Sequence, residues 1–293
     1  MKVFKCLINI IIALLIVVVA IIVLCKNILS NKILNKNYIL SKMEEMQVYL
    51  QISRDVKDGF ENFIYQSGLP EDTINDLFTD EMIKSDTNSI IDYIYDGTEI
   101  KLSDNIVKEN LEKKISNYID SKKLKLNQQG KQNIEEFESL IINEYKTNIN
   151  YDVNNTLNLY QKIQETIKLL KGFEEKLNYI PIIILVVLII ILIMINHNDL
   201  LVVIQFLSIS SLSVGILLKM LVDLIYDNFD IDNLMFFSTA MTSLIISIIK
   251  EIIFTISDNS KLFVILGIIG IFITALLNGF PVKKDIKNHR LKF

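Results

Sequence analysis

Tryptophan is missing from this 293-residue chain, and proline, cysteine and histidine are scarce, with three, two and two residues. Each shortage closes a route. Cys6 and Cys25 stand at opposite ends of one apolar run, about 29 Å apart on a helix at ~1.5 Å per residue, too far to bridge within one chain. There is no disulfide framework and no paired-cysteine zinc motif. His197, in the turn "NHND", and His289, in the tail, have no metal-ligand neighbours at helical spacing and read as solvated loop residues. No phosphate-binding glycine loop, HExxH or GxSxG pattern occurs, so no catalytic, cofactor-binding or metal-binding residue is assigned. The missing tryptophan, beside heavy use of isoleucine, asparagine and lysine, hints at a low-GC bacterial genome.

What is abundant is apolar sequence. Hydrophobic residues make up 51% of the chain, gathered in long runs between charged stretches, the signature of a multi-pass membrane protein with a polar domain. Leu7 to Cys25 is uncharged and long enough to span a bilayer. It follows Lys2 and Lys5 like a signal peptide, but its core is long and no A-x-A site follows, so residues 1–26 are expected to be an uncleaved anchor. Ile180 to Ile195 is a second span, extendable through Tyr179, and Leu200 to Tyr226 a third. A fourth, "LFVILGIIGIFITALLNGF", follows Lys261. Between the third and fourth lies "STAMTSLIISIIKEIIFTISDNS", residues 238 to 260, which is apolar yet carries Lys250 and Glu251 side by side.

Charge placement arbitrates. The tail, "PVKKDIKNHRLKF", holds Lys283, Lys284, Lys287, Arg290 and Lys292 against Asp285, which marks it as cytoplasmic, and Lys2 and Lys5 mark the N-terminus likewise. Two ends on one side require an even number of spans, hence four. "DNFDIDN" (227 to 233) and "SDNS" (257 to 260) contain acids and no Lys or Arg, as outside loops can. Thr239, Thr242, Ser243, Ser247, Lys250, Glu251 and Thr255 fall near one helix face, opposite Met241, Leu244, Ile245, Ile248, Ile249, Ile252 and Ile256. That pattern predicts, within 227–260, an amphipathic helix at the interface or packed against the bundle, before a last span and tail over 261–293. Lys26, Lys32, Lys36 and Lys42 argue the other way. They support an alternative with five spans and a cytoplasmic middle domain.

The middle domain, 27–178, carries more acids than bases, which disfavours nucleic acid as a partner. It reads as all-α. Ile39, Met43, Met46, Leu50, Val56, Phe60 and Phe63 keep helical spacing, broken at Ser53, and stop at "SGLP". Thr79-Asp80-Glu81 opens a helix ending at "YDG"; Ser103-Asp104 opens one with Val107, Leu111, Ile115 and Tyr118 on a face. Another runs from about 132 to 148 through Ile134, Phe137, Leu140, Ile141 and Tyr145. The absence of glycine and proline from residue 1 to 58 predicts that the first span continues outward as a stalk. Val153, Leu157, Tyr160, Ile163, Ile167, Leu170, Phe173, Leu177 and Ile180 predict a second stalk entering a transmembrane hairpin (179–226), with a kink at Pro181. Two such stalks can pair as a coiled coil.

Other polar features read as structural. Asp227, Asp230 and Asp232 with Asn228 and Asn233 lack the glycine and closing glutamate of an EF-hand loop. Lys219 and Asp223, i and i+4, suit snorkelling at the interface. Ser211 and Gly215 form a small-xxx-small pair that, with Gly267 and Gly270, predicts close helix packing. "NNT" (154 to 156) matches a glycosylation acceptor of no relevance in bacteria.

The order of anchor, acidic helical domain with "SGLPEDTINDLF" and "IDYIYDGTEI", tight hairpin, amphipathic segment and basic tail resembles that of uncharacterised multi-pass membrane proteins of Gram-positive Firmicutes. The resemblance implies a cell-membrane location. One span, an outer domain and three spans is also similar in layout to FtsX-type and MacB-type permeases, although the parts expected in the cytoplasm include no coupling helix for an ATPase. The expectation is an integral cell-membrane protein without enzymatic activity or cofactor, whose extracytoplasmic helical domain binds or scaffolds a partner. Its partners would be the lipid bilayer and another membrane or envelope protein, with a homo-oligomer open. A transport component is the alternative.

Overall fold

Few glycines and prolines leave long helices uninterrupted, and the computed structural model, which describes residues 2–151, 156–197, 199–234 and 238–279, shows ten α-helices and no strand among them. They are α1 (Lys2–Ile28), α2 (Lys36–Glu45), α3 (Val48–Ser67), α4 (Asp80–Asp96), α5 (Asp104–Ser121), α6 (Gln128–Asn148), α7 (Thr156–Leu177), α8 (Ile180–Ile195), α9 (Leu200–Asn228) and α10 (Thr239–Gly279). Among the described residues, four helical stretches are long and apolar enough to cross a membrane: Val3–Ile33, Thr156–Ile195, Leu200–Asn228 and Thr239–Leu277. The chain is a multi-pass, membrane-associated, all-helical protein. The tail with His289, and Val153, Asn154 and Asn155, lie outside the described residues.

The chain divides into two compact units. The first comprises residues 1–28, 176–231 and 249–293 and contains α1, α8, α9 and most of α10. Small residues set its packing, as expected from Ser211, Gly215, Gly267 and Gly270. A Cβ added at Gly215 would lie 2.8 Å from the Ser260 carbonyl oxygen, and one at Gly267 would lie 2.7 Å from the Leu212 nitrogen. Such closeness lets Ser260 Oγ donate to the Gly215 carbonyl at 2.8 Å and Ser211 Oγ donate to the Phe263 carbonyl at 2.7 Å. Val17, Leu24 and Ile28 of α1 pack with Val214 and Leu218 of α9 and, on α10, Ile252, Ile256 and Phe263. Where α1 meets α8, Asn9 and Asn196 are both buried and exchange side-chain hydrogen bonds.

The second unit comprises residues 29–175 and 232–248. Local chemistry sets its helix ends. Thr79 accepts the Met82 N–H and caps α4, Asn127 accepts the Gly130 N–H and caps α6, and Asn35 caps α2. Gly68 and Gly97, both left-handed, close α3 and α4. The core gathers Met43, Ile52, Val56, Phe60, Leu77, Ile83, Val107, Leu111, Ile141 and Tyr145, each fully buried. At roughly 1.5–3 kcal/mol per large apolar side chain, this burial is the main force holding the helices together. A smaller core joins Ile90 and Ile94 of α4 to Tyr160 and Ile167 of α7, beside Leu34.

Several expectations are corrected. The stalk expected beyond the first span is short. After Ile28 the chain makes a π-turn, Leu29–Ile33, closed by Leu34 N–H donating to the Leu29 carbonyl, and Asn35 then starts a new helix. Asparagine competes with the helix by bonding locally, which favours a break there. A second break falls at Gln47, whose backbone is left-handed, and not at Ser53, which lies inside α3. On α7 the stripe from Tyr160 to Leu170 is packed as expected, whereas Phe173 is exposed. The helix ends at Leu177, four residues before Pro181, whose ring excludes the carbonyl there and which lacks an N–H; α8 starts afresh. Leu140 of α6 is half-exposed rather than core.

The largest correction concerns residues 238–260. "SDNS" is helix, not loop, and α10 is unbroken from Thr239 through the last apolar run. No glycine or proline interrupts it before Gly267, and Asn259 is held by donating to the Thr255 carbonyl one turn back. Its first turns do not lie free at an interface: Ala240 and Leu244 are buried in the core of the second unit, with Met241 and Ile248 against them.

Candidate binding groove

α3 and α6 pack side by side, and α5 leans on α6, so their ends gather at one end of the second unit. There the helices do not close. An open cavity of about 360 Å³ remains. Ser67 and Leu69 line it from the end of α3, and Ile115, Tyr118 and Ile119 from α5. Leu124 and Leu126 come from the turn between α5 and α6, and Asn133, Ile134 and Phe137 from the start of α6. The floor is apolar, and the volume falls in the range of ligand and peptide pockets.

The turn that makes one lip has a definite geometry. Lys123 takes the left-handed conformation, φ 52°, its N–H donates to the Asp120 carbonyl at 3.1 Å, and the Leu124 N–H donates to the Ile119 carbonyl at 3.0 Å. This is a Schellman closure, in which the residue after the left-handed one folds back on the helix's last turn. Leu124 is thereby set over Ile119, both facing the groove. Even so, Leu124 remains 49% exposed and Leu126 38%, more than core leucines show.

Charge around the lip is segregated. Residues 121 to 134, "SKKLKLNQQGKQNI", contain four lysines and no acid, although the surrounding unit is acidic overall. Lys122, Lys123, Lys125 and Lys131 are all exposed, and none forms an ion pair among the described residues. Some lysines elsewhere in the unit are matched. Lys36 bridges Asp92 and Asp96 at 2.8 and 2.6 Å, Lys42 meets Glu45 at 2.8 Å, and Lys146 meets Asp104 at 2.7 Å.

A second polar feature lies inside the unit. Asp86, 1% exposed, accepts the Ser103 N–H and Ser103 Oγ, each at 2.7 Å, and the Tyr145 hydroxyl at 2.8 Å. Burial pushes its carboxyl pKa up, and these three donors oppose the rise. Burial and the facing carboxylate also push the Tyr145 phenol far up. Both Asp86 oxygens are committed to fixing the start of α5 against α4 and α6, so the group clamps structure.

The residues singled out in the sequence do not converge on a site. His197 is an exposed turn residue with left-handed backbone. Lys219 pairs with Asp223 on an exposed face of α9. Among the described residues no group of three His, Cys, Asp or Glu side chains could hold a metal ion. The groove and Asp86 were both missed. An acid-free lysine run interleaved with leucines is the sequence signal that marks the groove; a single aspartate on a helix gives none for the clamp. The chain matches no family model, no curated protein and no solved structure.

Proposed function

We propose that the protein is a non-enzymatic membrane adaptor. Four helices hold it in the cell membrane, and its helical unit, on the extracytoplasmic side, docks another membrane or envelope protein. The observation that carries this reading is the open groove, where Leu124 and Leu126 stay exposed at the edge of an apolar floor.

The orientation rests on charge and on helix continuity. Lys2, Lys5 and the basic tail favour a cytoplasmic location for both ends. One helix from Thr239 to Gly279 crosses a bilayer once, which favours four spans over five. The lysines that argue for the reverse have another reason to be present, because Lys36 and Lys42 pair with acids and Lys32 sits over the Tyr38 ring.

The test is photo-crosslinking in living cells from a diazirine side chain at Leu124, with the exposed α7 position Glu165 as control. A discrete adduct of higher mass from Leu124 alone is expected. Equal adducts from both positions, or none from Leu124, would overturn the adaptor reading.

A further inference from the structure

We propose that the groove's occupant is an acidic amphipathic helix of a partner protein. The proposal rests on the adaptor reading and adds the chemistry of what is docked. An apolar trough between helix ends takes a helix that offers residues at i, i+3 or i+4, and i+7. Ile119, Leu124 and Phe137 supply the surface for such a stripe. Complementarity fixes the flanks of that stripe. Four exposed lysines without an ion pair among the described residues stand together in a stretch free of acid beside the groove. A basic partner segment would gain nothing from that rim, whereas Asp and Glu beside the apolar stripe meet uncompensated positive charge.

An anionic lipid surface would also attract lysines and leucines, but it calls for apolar side chains on a convex tip. Here Leu124 is folded back over Ile119 and lines a concavity. A protein segment fits that shape.

The experiment pans a library of random 16-residue peptides against the full chain in lipid nanodiscs and measures the affinity of the enriched peptides. They are expected to carry Asp or Glu flanking apolar residues at helical spacing, and to bind the Lys122→Glu/Lys125→Glu variant about tenfold more weakly. Both lysines are exposed, so the variant should fold, which an unchanged thermal melt would establish. Raised salt should weaken binding to the native chain and not to the variant. Binders without acids, binders indifferent to the charge reversal, no binders, or capture of the nanodiscs by phosphatidylglycerol vesicles in place of peptides would each overturn the proposal. If Leu124 still crosslinks in cells while the selected peptides lack acids, the groove docks a partner of different chemistry. If crosslinking fails as well, the adaptor reading goes with it.

Discussion

Asn9 and Asn196, 187 positions apart, exchange two side-chain hydrogen bonds of 3.1 and 3.2 Å where α1 meets α8, and Asn196 donates a third to the Leu192 carbonyl at 2.7 Å. Each amide supplies both donor and acceptor, so the pair is satisfied without water. Replacing Asn9 with leucine leaves the Asn196 carbonyl oxygen unpaired while its amine keeps Leu192. The expected cost is about 1 kcal/mol, within the span of measured intramembrane hydrogen bonds. Reversible unfolding of both single variants and the double in bilayer-like detergent should give a coupling of roughly 0.5–1.5 kcal/mol. Additive costs would show that the two amides act independently.

Asp86 permits a test in which two substitutions differ sharply in cost. Asp86→Ala orphans the Tyr145 hydroxyl and the Ser103 N–H and should cost about 3 kcal/mol. Asp86→Asn can be accommodated, because its oxygen can take both of those donors while its amine donates to Ser103 Oγ. The expected change is within about 1 kcal/mol. The pH dependence follows from the raised pKa. Burial makes the folded carboxyl bind its proton more tightly than the unfolded one, whose value is 3.8. Its charged form therefore disfavours folding above the folded pKa, and that penalty is relieved as pH falls from the folded pKa toward 3.8. Thermal melts across that window should show this relief in the native chain, superimposed on the other carboxylates, and a smaller relief in Asp86→Asn.

On α7 the buried and exposed faces are one step apart. Ile167→Asp places a carboxylate against Ile90 and Ile94 and should destabilise the unit by roughly 3–4 kcal/mol, whereas exposed Glu165→Lys should stay within about 0.5 kcal/mol. Limited proteolysis of the two variants checks this; equal resistance would contradict the packing of that face.

Orientation is measurable with thiols. Cys6 and Cys25 are unpaired, so replacing both with serine gives a clean background. Single cysteines at Ser121, Asn228 and Asn288 are then exposed to a membrane-impermeant maleimide on spheroplasts. Labelling at Ser121 and Asn228 with protection at Asn288 is expected. The reverse pattern would put the helical unit in the cytoplasm.

Features encoded by neighbouring residues were legible in the sequence. Thr79 as a cap, the stops at Gly68 and Gly97, and the α5 face of Val107, Leu111 and Ile115 each depend on a few consecutive positions. Features encoded between distant segments were not. Nothing near Asn9 points to Asn196. "SDNS" reads as a loop by composition, yet it is helical because its neighbours on both sides are strong apolar helix and Asn259 bonds back along the same turn. Gln47 breaks a helix without glycine or proline, in a left-handed conformation that a glutamine seldom adopts and composition does not signal. The groove was hidden for a related reason. A lysine–leucine alternation in a short turn acquires meaning only once Lys123 has folded Leu124 back over Ile119.

The make-up of the helical unit also fixes when it can finish folding. Its core needs Ala240 and Leu244, which leave the ribosome about a hundred residues after Tyr145, once α8 and α9 have been made. At 5–20 residues per second that interval lasts roughly 5–20 s. During it the apolar patch that these two side chains will cover stays open. A fragment ending at residue 175 is left permanently in that state, so aggregation of such a fragment would report an unfinished core rather than an unstable sequence.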